Sequence, residues 1–189
     1  MTRTAGQLRG ELVRAAAALL ERTGAVEGVT LRAVAREAGV SAPAVYGHYA
    51  DLEALLDAVV DEGFDRLGTA IGAAVAPLAD AEERLVAGCR AYVEAGLAAP
   101  ARYRAMFGPR RARGTEAFGL LVDGVVACVA AGRSGSTDPA ADAALLWTAL
   151  HGVVTLRAAG PDPAWPDLDA QIRALAGRLA RVSGLDAPA

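Results

Sequence analysis

The segment from Thr30 to Leu56, TLRAVAREAGVSAPAVYGHYADLEALL, constrains the fold more than any other part of the chain. Thr30 has a hydroxyl able to cap a helix, and Val34, Ala35 and Ala38 follow at the three- and four-residue steps that put them on one buried stripe. Gly39 stops that helix, because a residue without a Cβ enters the left-handed region at little cost, and Val40 is apolar enough to fill the gap behind it. Ser41 is placed to cap a second helix whose first turn tolerates Pro43, while Val45 and Tyr49, four residues apart, return to the core. Ala35, Gly39 and Val45 thus supply what two tightly crossed short helices need: a small residue at the crossing, a turn glycine and one branched anchor. A longer helix starts at Asp51, and the whole has the layout of a helix-turn-helix reader of double-stranded DNA.

The remainder of the chain reads as helix. Alanine and leucine dominate, apolar residues recur at helical steps and no alternating pattern repeats, so the 189 residues imply an all-α fold. About nine helices are expected, with a three-helix DNA-binding domain over 1–50 and a helical effector-binding and dimerisation domain over 51–189. The first helix spans 7–23, with Leu12, Ala16, Leu19 and Leu20 inward. The fourth runs from Asp51 to the turn before Pro77, on the order of 35 Å, which is long enough to leave the head and enter the body. Further helices are expected over 81–99, 102–107, 115–131, 139–159 and 167–182, separated by Pro100, GPRRARG, GRSGSTDP and GPDPAWPD.

Charge at first argues against a nucleic-acid partner, since the net value is −3. Its distribution answers this: residues 1–49 hold six arginines against four glutamates, a balance of +2 that leaves −5 for the rest. A mildly positive head on an acidic body suits a reader that must not bind DNA everywhere. All 19 basic residues are arginine, so phosphate contacts would be made by guanidinium forks. No charged-then-apolar leader and no run of about eighteen uncharged apolar residues is visible, which predicts a cytoplasmic protein without a membrane partner. Cys89 and Cys128 lack metal or redox spacing and read as small core residues. With two histidines, no nucleophile constellation, no phosphate-cradling loop and no metal-ligand spacing, the sequence predicts neither an enzyme nor a cofactor.

The run VYGHYADLEALL, Val45 to Leu56, resembles the recognition helix and following helix of the TetR family of one-component bacterial repressors. It also sits where that family places it, after one amphipathic helix. Downstream, WTALHGVVTLRAAG, Trp147 to Gly160, is similar to the Trp-His-Gly segment that names one subgroup of C-terminal ligand domains, and RYRAMFG, Arg102 to Gly108, fits the same subgroup. The resemblance implies a ligand-responsive repressor acting as a homodimer on a pseudo-palindromic operator, with recognition helices about 34 to 36 Å apart or a wider multiple. One position departs: the family carries Lys or Arg just after the cap of the fourth helix, where this chain has Leu52.

The expected DNA-contacting set is Thr30, Arg32, Ser41, Ala42, Pro43, Ala44, Tyr46, His48 and Tyr49. Ala42, Pro43 and Ala44 are too small for bidentate base contacts and suit thymine methyls, whereas in the resembling family the positions of Thr30, Tyr46 and His48 approach phosphates. Arg3 and Arg9 read either as an arm for a neighbouring minor groove or as an unstructured start. For a mostly apolar small-molecule effector the expected lining is Cys89, Tyr92, Met106, Phe107, Phe118, Val122, Val125, Trp147 and His151. Arg110, Arg111 and Arg113 read as an anion site or a solvated loop. The helix carrying Trp147 is apolar almost all round, and its successor has one apolar stripe. A four-helix dimer interface of Leu146, Leu150, Val153, Leu168, Ile172, Leu175 and Leu179 is therefore expected. Leu52 and the acidic total leave a second reading, a helical small-molecule or protein-interaction module that no longer binds DNA.

Overall fold

The computed structural model describes residues 4–108, 114–160 and 164–185; Arg3, Arg110, Arg111 and Arg113 lie outside them. Among the described residues there are nine α-helices and no strand: α1 Ala5–Thr23, α2 Leu31–Glu37, α3 Ala42–Tyr46, α4 Leu52–Val75, α5 Ala81–Ala98, α6 Pro100–Met106, α7 Gly114–Ala130, α8 Pro139–Ala159 and α9 Leu168–Leu179. Two compact units form, one within Met1–Asp65 and Ala99–Ala112, the other within Arg66–Ala98 and Arg113–Ala189. Their division falls inside α4, beyond the residue-50 boundary expected from the motif, and assigns α6 to the first unit.

In the first unit, Thr4 and Gln7 form a reciprocal cap on α1, each side chain accepting from the other's backbone amide. The inward stripe of α1, Leu12, Ala16, Leu19 and Leu20, meets Val34 and Ala35 of α2, Val45 of α3 and Leu55, Leu56 and Val59 of α4. Arg22 at the end of α1 forks onto Glu37 of α2 at 2.8 Å. This hydrogen bond holds the Glu37 carboxyl below its ordinary range. Pro100 does more than separate helices: it stands in the first turn of α6, where its missing amide is no loss. The next two amides, of Ala101 and Arg102, donate to the Glu21 carboxylate at 3.2 and 2.7 Å, and Arg104 donates to the Gly24 carbonyl at 2.9 Å. The α6 N-terminus is thereby capped by a side chain of α1.

The turn between α2 and α3 has the geometry its glycine implies. Gly39 adopts φ 64°, its amide donates to Arg36 O at 3.2 Å, and the Val40 amide reaches back to Ala35 O at 2.9 Å. Nothing lies within 4 Å of where a Cβ on Gly39 would stand, so the demand for glycine is one of backbone conformation alone. Gly39→Ala is accordingly expected to lower the unfolding free energy by about 1–2 kcal/mol, and Gly39→Asn by less. Urea unfolding followed by circular dichroism measures both, and an alanine variant as stable as wild type would refute the assignment.

In the second unit α5, α7, α8 and α9 pack on one another. Asp138 caps α8 through Ala141 N at 3.1 Å with Pro139 in the first turn, and Asp167 caps α9 through Ala170 N at 3.1 Å. Arg90 of α5 and Arg173 of α9 converge on Asp169, whose carboxyl they hold below its ordinary range. By length and composition alone α8, with a mean hydropathy of 1.2, could cross a membrane. Its inward residues Leu146, Leu150 and Val154 instead fill this unit's core.

The expected dimer face is corrected at four positions. Leu146, Leu150, Val153 and Ile172 are all buried within the protomer. They have no surface to offer a partner, whereas Leu168, Leu175 and Leu179 are half-buried. A helix apolar on every side does not reveal which side faces its own core. On α8 the outward apolar residues are Leu145 and Leu156, 57% and 56% exposed.

Candidate DNA-binding surface and effector cavity

The helix-turn-helix presents a definite surface. Thr30, Arg32, Ser41, Pro43 and Tyr46 are exposed, Ala42, Ala44 and His48 half-buried. At 59% exposure, Tyr46 is the large hydrophobic side chain left outermost among the described residues of this unit. Thr30 caps α2 through Ala33 N at 3.2 Å. Ser41 occupies the cap position of α3, but its hydroxyl makes no capping bond. The expectation that it caps is thus corrected, and the hydroxyl remains on the surface.

Tyr49 is corrected as a DNA contact. It is buried, as its spacing from Val45 implied, with Arg9 lying over its ring at 4.5 Å from the centroid. Arg9 itself is no arm: it sits on α1, and its guanidinium donates to the His48 carbonyl at 3.1 Å. Together these pin the turn after α3 to α1 and set the direction in which Tyr46 and His48 leave the backbone. Sequence reading missed this role because the partners lie 39 residues apart, and an arginine near a terminus carries no local sign of its partner. Leu52 is half-buried against the core of this unit, at the position where a basic side chain was expected to meet a phosphate. At the start of α4, Asp51 accepts from Ala54 N at 2.8 Å.

A cavity of about 280 Å³ opens in the second unit among the C-terminal half of α4, α5, α7 and α8. Of the expected lining residues, it brings together Cys89, Tyr92 and Trp147, to which Leu85, Leu121 and Leu150 are added. Phe118 and His151 do not line it, but their rings neighbour Trp147, with centroids 5.7 and 6.5 Å away. Val122 and Val125 are not on the wall, and Val125 is fully buried. Met106 and Phe107 are corrected, since they belong to α6 and its C-terminal cap in the first unit. There Met106 packs over Gly63, and Phe107 meets Phe64 edge-on at 5.6 Å. Ile71 and Val75 of α4 are further wall residues that sequence reading did not single out.

Burial pushes the Cys89 thiol up to about 12, with Cys128 adding to the effect, and burial likewise pushes Cys128 up to about 11. Both sulfurs are therefore neutral thiols at ordinary pH. At pH 8 a thiol titrating at 12 is about one part in 10⁴ thiolate, so iodoacetamide is expected to label Cys89 roughly 10³-fold more slowly in the folded protein than in urea. Mass spectrometry of the alkylated peptide over time provides the check, and equal rates in the two states would disprove the burial.

Fold and surface together define a DNA-binding helix-turn-helix transcription regulator. Residues 12–59 match the family described as bacterial regulatory proteins, tetR family, and residues 85–179 match the tetracyclin repressor-like C-terminal domain. The chain belongs to the TetR family of bacterial regulatory proteins. A protein of unknown function from Rhodococcus sp. RHA1 is 35% identical, with 96% of this chain and 97% of that one covered and a TM-score of 0.81. The fold is shared with the fatty acid degradation regulator FadR from Bacillus halodurans, at 16% identity, 95% and 97% coverage and a TM-score of 0.72. RolR, in a complex with resorcinol, also shares it, at 20% identity, 94% and 88% coverage and a TM-score of 0.64. No curated protein matches the chain.

Proposed function

We propose that the protein is a homodimeric repressor that binds a pseudo-palindromic operator and releases it when a small molecule enters the cavity of the second unit. The observation that carries DNA reading is the exposed row of Thr30, Arg32, Ser41, Pro43 and Tyr46 on a motif otherwise fixed by its turn and by Arg9. Ala42 and Ala44 serve thymine methyls, and Tyr46, His48 and Thr30 serve phosphates. The fourth helix links the two functions within one element: its first residues lie beside α3 in sequence, and Ile71, Gly72 and Val75 at its other end line the cavity. A ligand that favours one setting of this helix by about 1–3 kcal/mol changes operator affinity roughly 5- to 150-fold. RolR, whose structure holds resorcinol, and the fatty acid degradation regulator FadR support a ligand-responsive reading through the shared fold.

We assign DNA reading to residues 1–50 and effector binding and dimerisation to 51–189, in the cytoplasm. The C-terminal domain is assigned to the Trp-His-Gly subgroup on Trp147, His151 and Gly152. Dimerisation uses the outward side of α8, Leu145 and Leu156, with the half-buried leucines of α9.

A fluorescence-anisotropy titration of the protein with its own upstream DNA tests the reading. Specific binding is expected to weaken roughly 10³-fold or more between 50 and 200 mM salt if six or more phosphates are neutralised. Absent or sequence-blind binding would instead support the non-DNA-binding module suggested by Leu52.

A further inference from the structure

Three glycines from three helices border the cavity of the second unit: Gly72 of α4, Gly88 of α5 and Gly124 of α7. A glycine within a helix costs about 0.5–1 kcal/mol relative to alanine, and this chain uses alanine freely elsewhere. The protein's own packing does not require two of them. A Cβ on Gly88 would meet Val75 and Ile71 at 3.5 and 3.7 Å, ordinary contact distances, and one on Gly72 would meet nothing within 4 Å. On Gly124 the nearest atom would be the terminal Cδ1 of Leu85 at 3.1 Å. What the three preserve is open space with bare backbone on its sides.

The space has a size and a polarity. A dry apolar cavity of roughly 150 Å³ accommodates benzene. At about 280 Å³ the present one is nearly twice as large. Its floor, Leu85, Cys89, Tyr92 and Leu150, is buried and holds no ionised group, since the thiol is neutral. The two charged residues, Arg84 and Asp123, are exposed. Arg84 already donates through Nη1 to the Val75 and Leu78 carbonyls, 3.1 Å each. A carboxylate or ammonium carried to the floor would lose its hydration with no counter-charge beside it. Trp147 contributes an aromatic wall, and aromatic pairs gain about 0.5–1.5 kcal/mol beyond the area they bury.

Building on the effector-cavity reading above, we infer that the effector is an uncharged, rigid molecule of about two fused rings, admitted and selected by Gly72, Gly88 and Gly124. A flexible chain of equal carbon number loses more rotational freedom on entry and binds less tightly.

The test is isothermal titration calorimetry of the full-length protein with 2-naphthol, with 2-naphthoate as the same ring system bearing a charge, and with decanoate as a flexible chain of similar size. Operator binding is measured on the same preparations. The expected result is 2-naphthol binding at least tenfold tighter than either anion, and a loss of tenfold or more in both Gly88→Val and Gly72→Leu. The second variant stands at the exposed rim, where an added Cβ meets no atom within 4 Å, so it keeps the test valid if the first fails to fold. Naphthoate or decanoate binding as tightly as 2-naphthol, undiminished binding in a folded variant, or no binding of any probe would overturn the inference. Operator binding in those same samples would leave the regulator reading standing, and its absence would count against that reading separately.

Discussion

Charging the outward face of α8, by Leu145→Glu together with Leu156→Glu, is expected to leave the protomer folded and to break the proposed dimer into monomers. The two leucines stand eleven residues apart, three turns of helix, so they share one face, with Ala149 and Gly152 between them in the same row. Both are more than half exposed in the protomer, so a glutamate at either place meets water and costs the isolated chain little. In a symmetric pair the same patch faces its copy. Four carboxylates would then be brought together and desolvated, a repulsive arrangement worth several kcal/mol. Each half-site must subsequently be held by one reader alone, and operator affinity should fall roughly 10²- to 10⁴-fold, the usual span lost with avidity. Sedimentation velocity reads the assembly and anisotropy reads the operator; a double variant that stays dimeric would move the interface elsewhere.

The adjacent residue should behave in the opposite way. Leu146 is completely buried in the core of the second unit. Leu146→Ala removes methylenes from that core and leaves a void, a change that costs about 2–5 kcal/mol for leucine. Operator affinity of the fraction that remains folded should be close to wild type at low temperature. Denaturant unfolding gives the stability and sedimentation gives the assembly. A loss of dimer without a loss of stability would return Leu146 to the interface. One residue of offset along α8 thus separates an assembly phenotype from a stability phenotype.

The contrast shows where the sequence was readable. Short-range features were legible because their physics is local: the Thr30 cap, the Gly39 turn and the span of α8 all depend on atoms within a few residues. The burial of Val45 and Tyr49 followed from their spacing on one helical face. Facing within the second unit was not legible. A helix apolar all round carries no period that tells inside from outside, so Leu146 and Leu150 could not be told from Leu145 and Leu156. The cavity was legible only in part, through Cys89, Tyr92 and Trp147. Its glycines carry no side chain to draw notice, and Met106 and Phe107 follow α6 into the other unit despite their aromatic and thioether character. Arg9 on the His48 carbonyl and Glu21 on the α6 amides join positions 39 and about 80 residues apart, beyond the reach of any local pattern.

Glu21 and α6 carry a consequence for anyone exchanging parts among relatives of this protein. The polypeptide passes from the first unit to the second within α4, comes back for α6 and departs again, so the DNA reader is not a detachable leading segment. A chimera cut after the third helix would leave Glu21 facing foreign amides and the pocket of Ala101 occupied by whatever the host supplies. Recombinants that transplant 100–106 along with the N-terminal portion should keep both halves intact, and breakpoints inherited between living homologues should cluster accordingly.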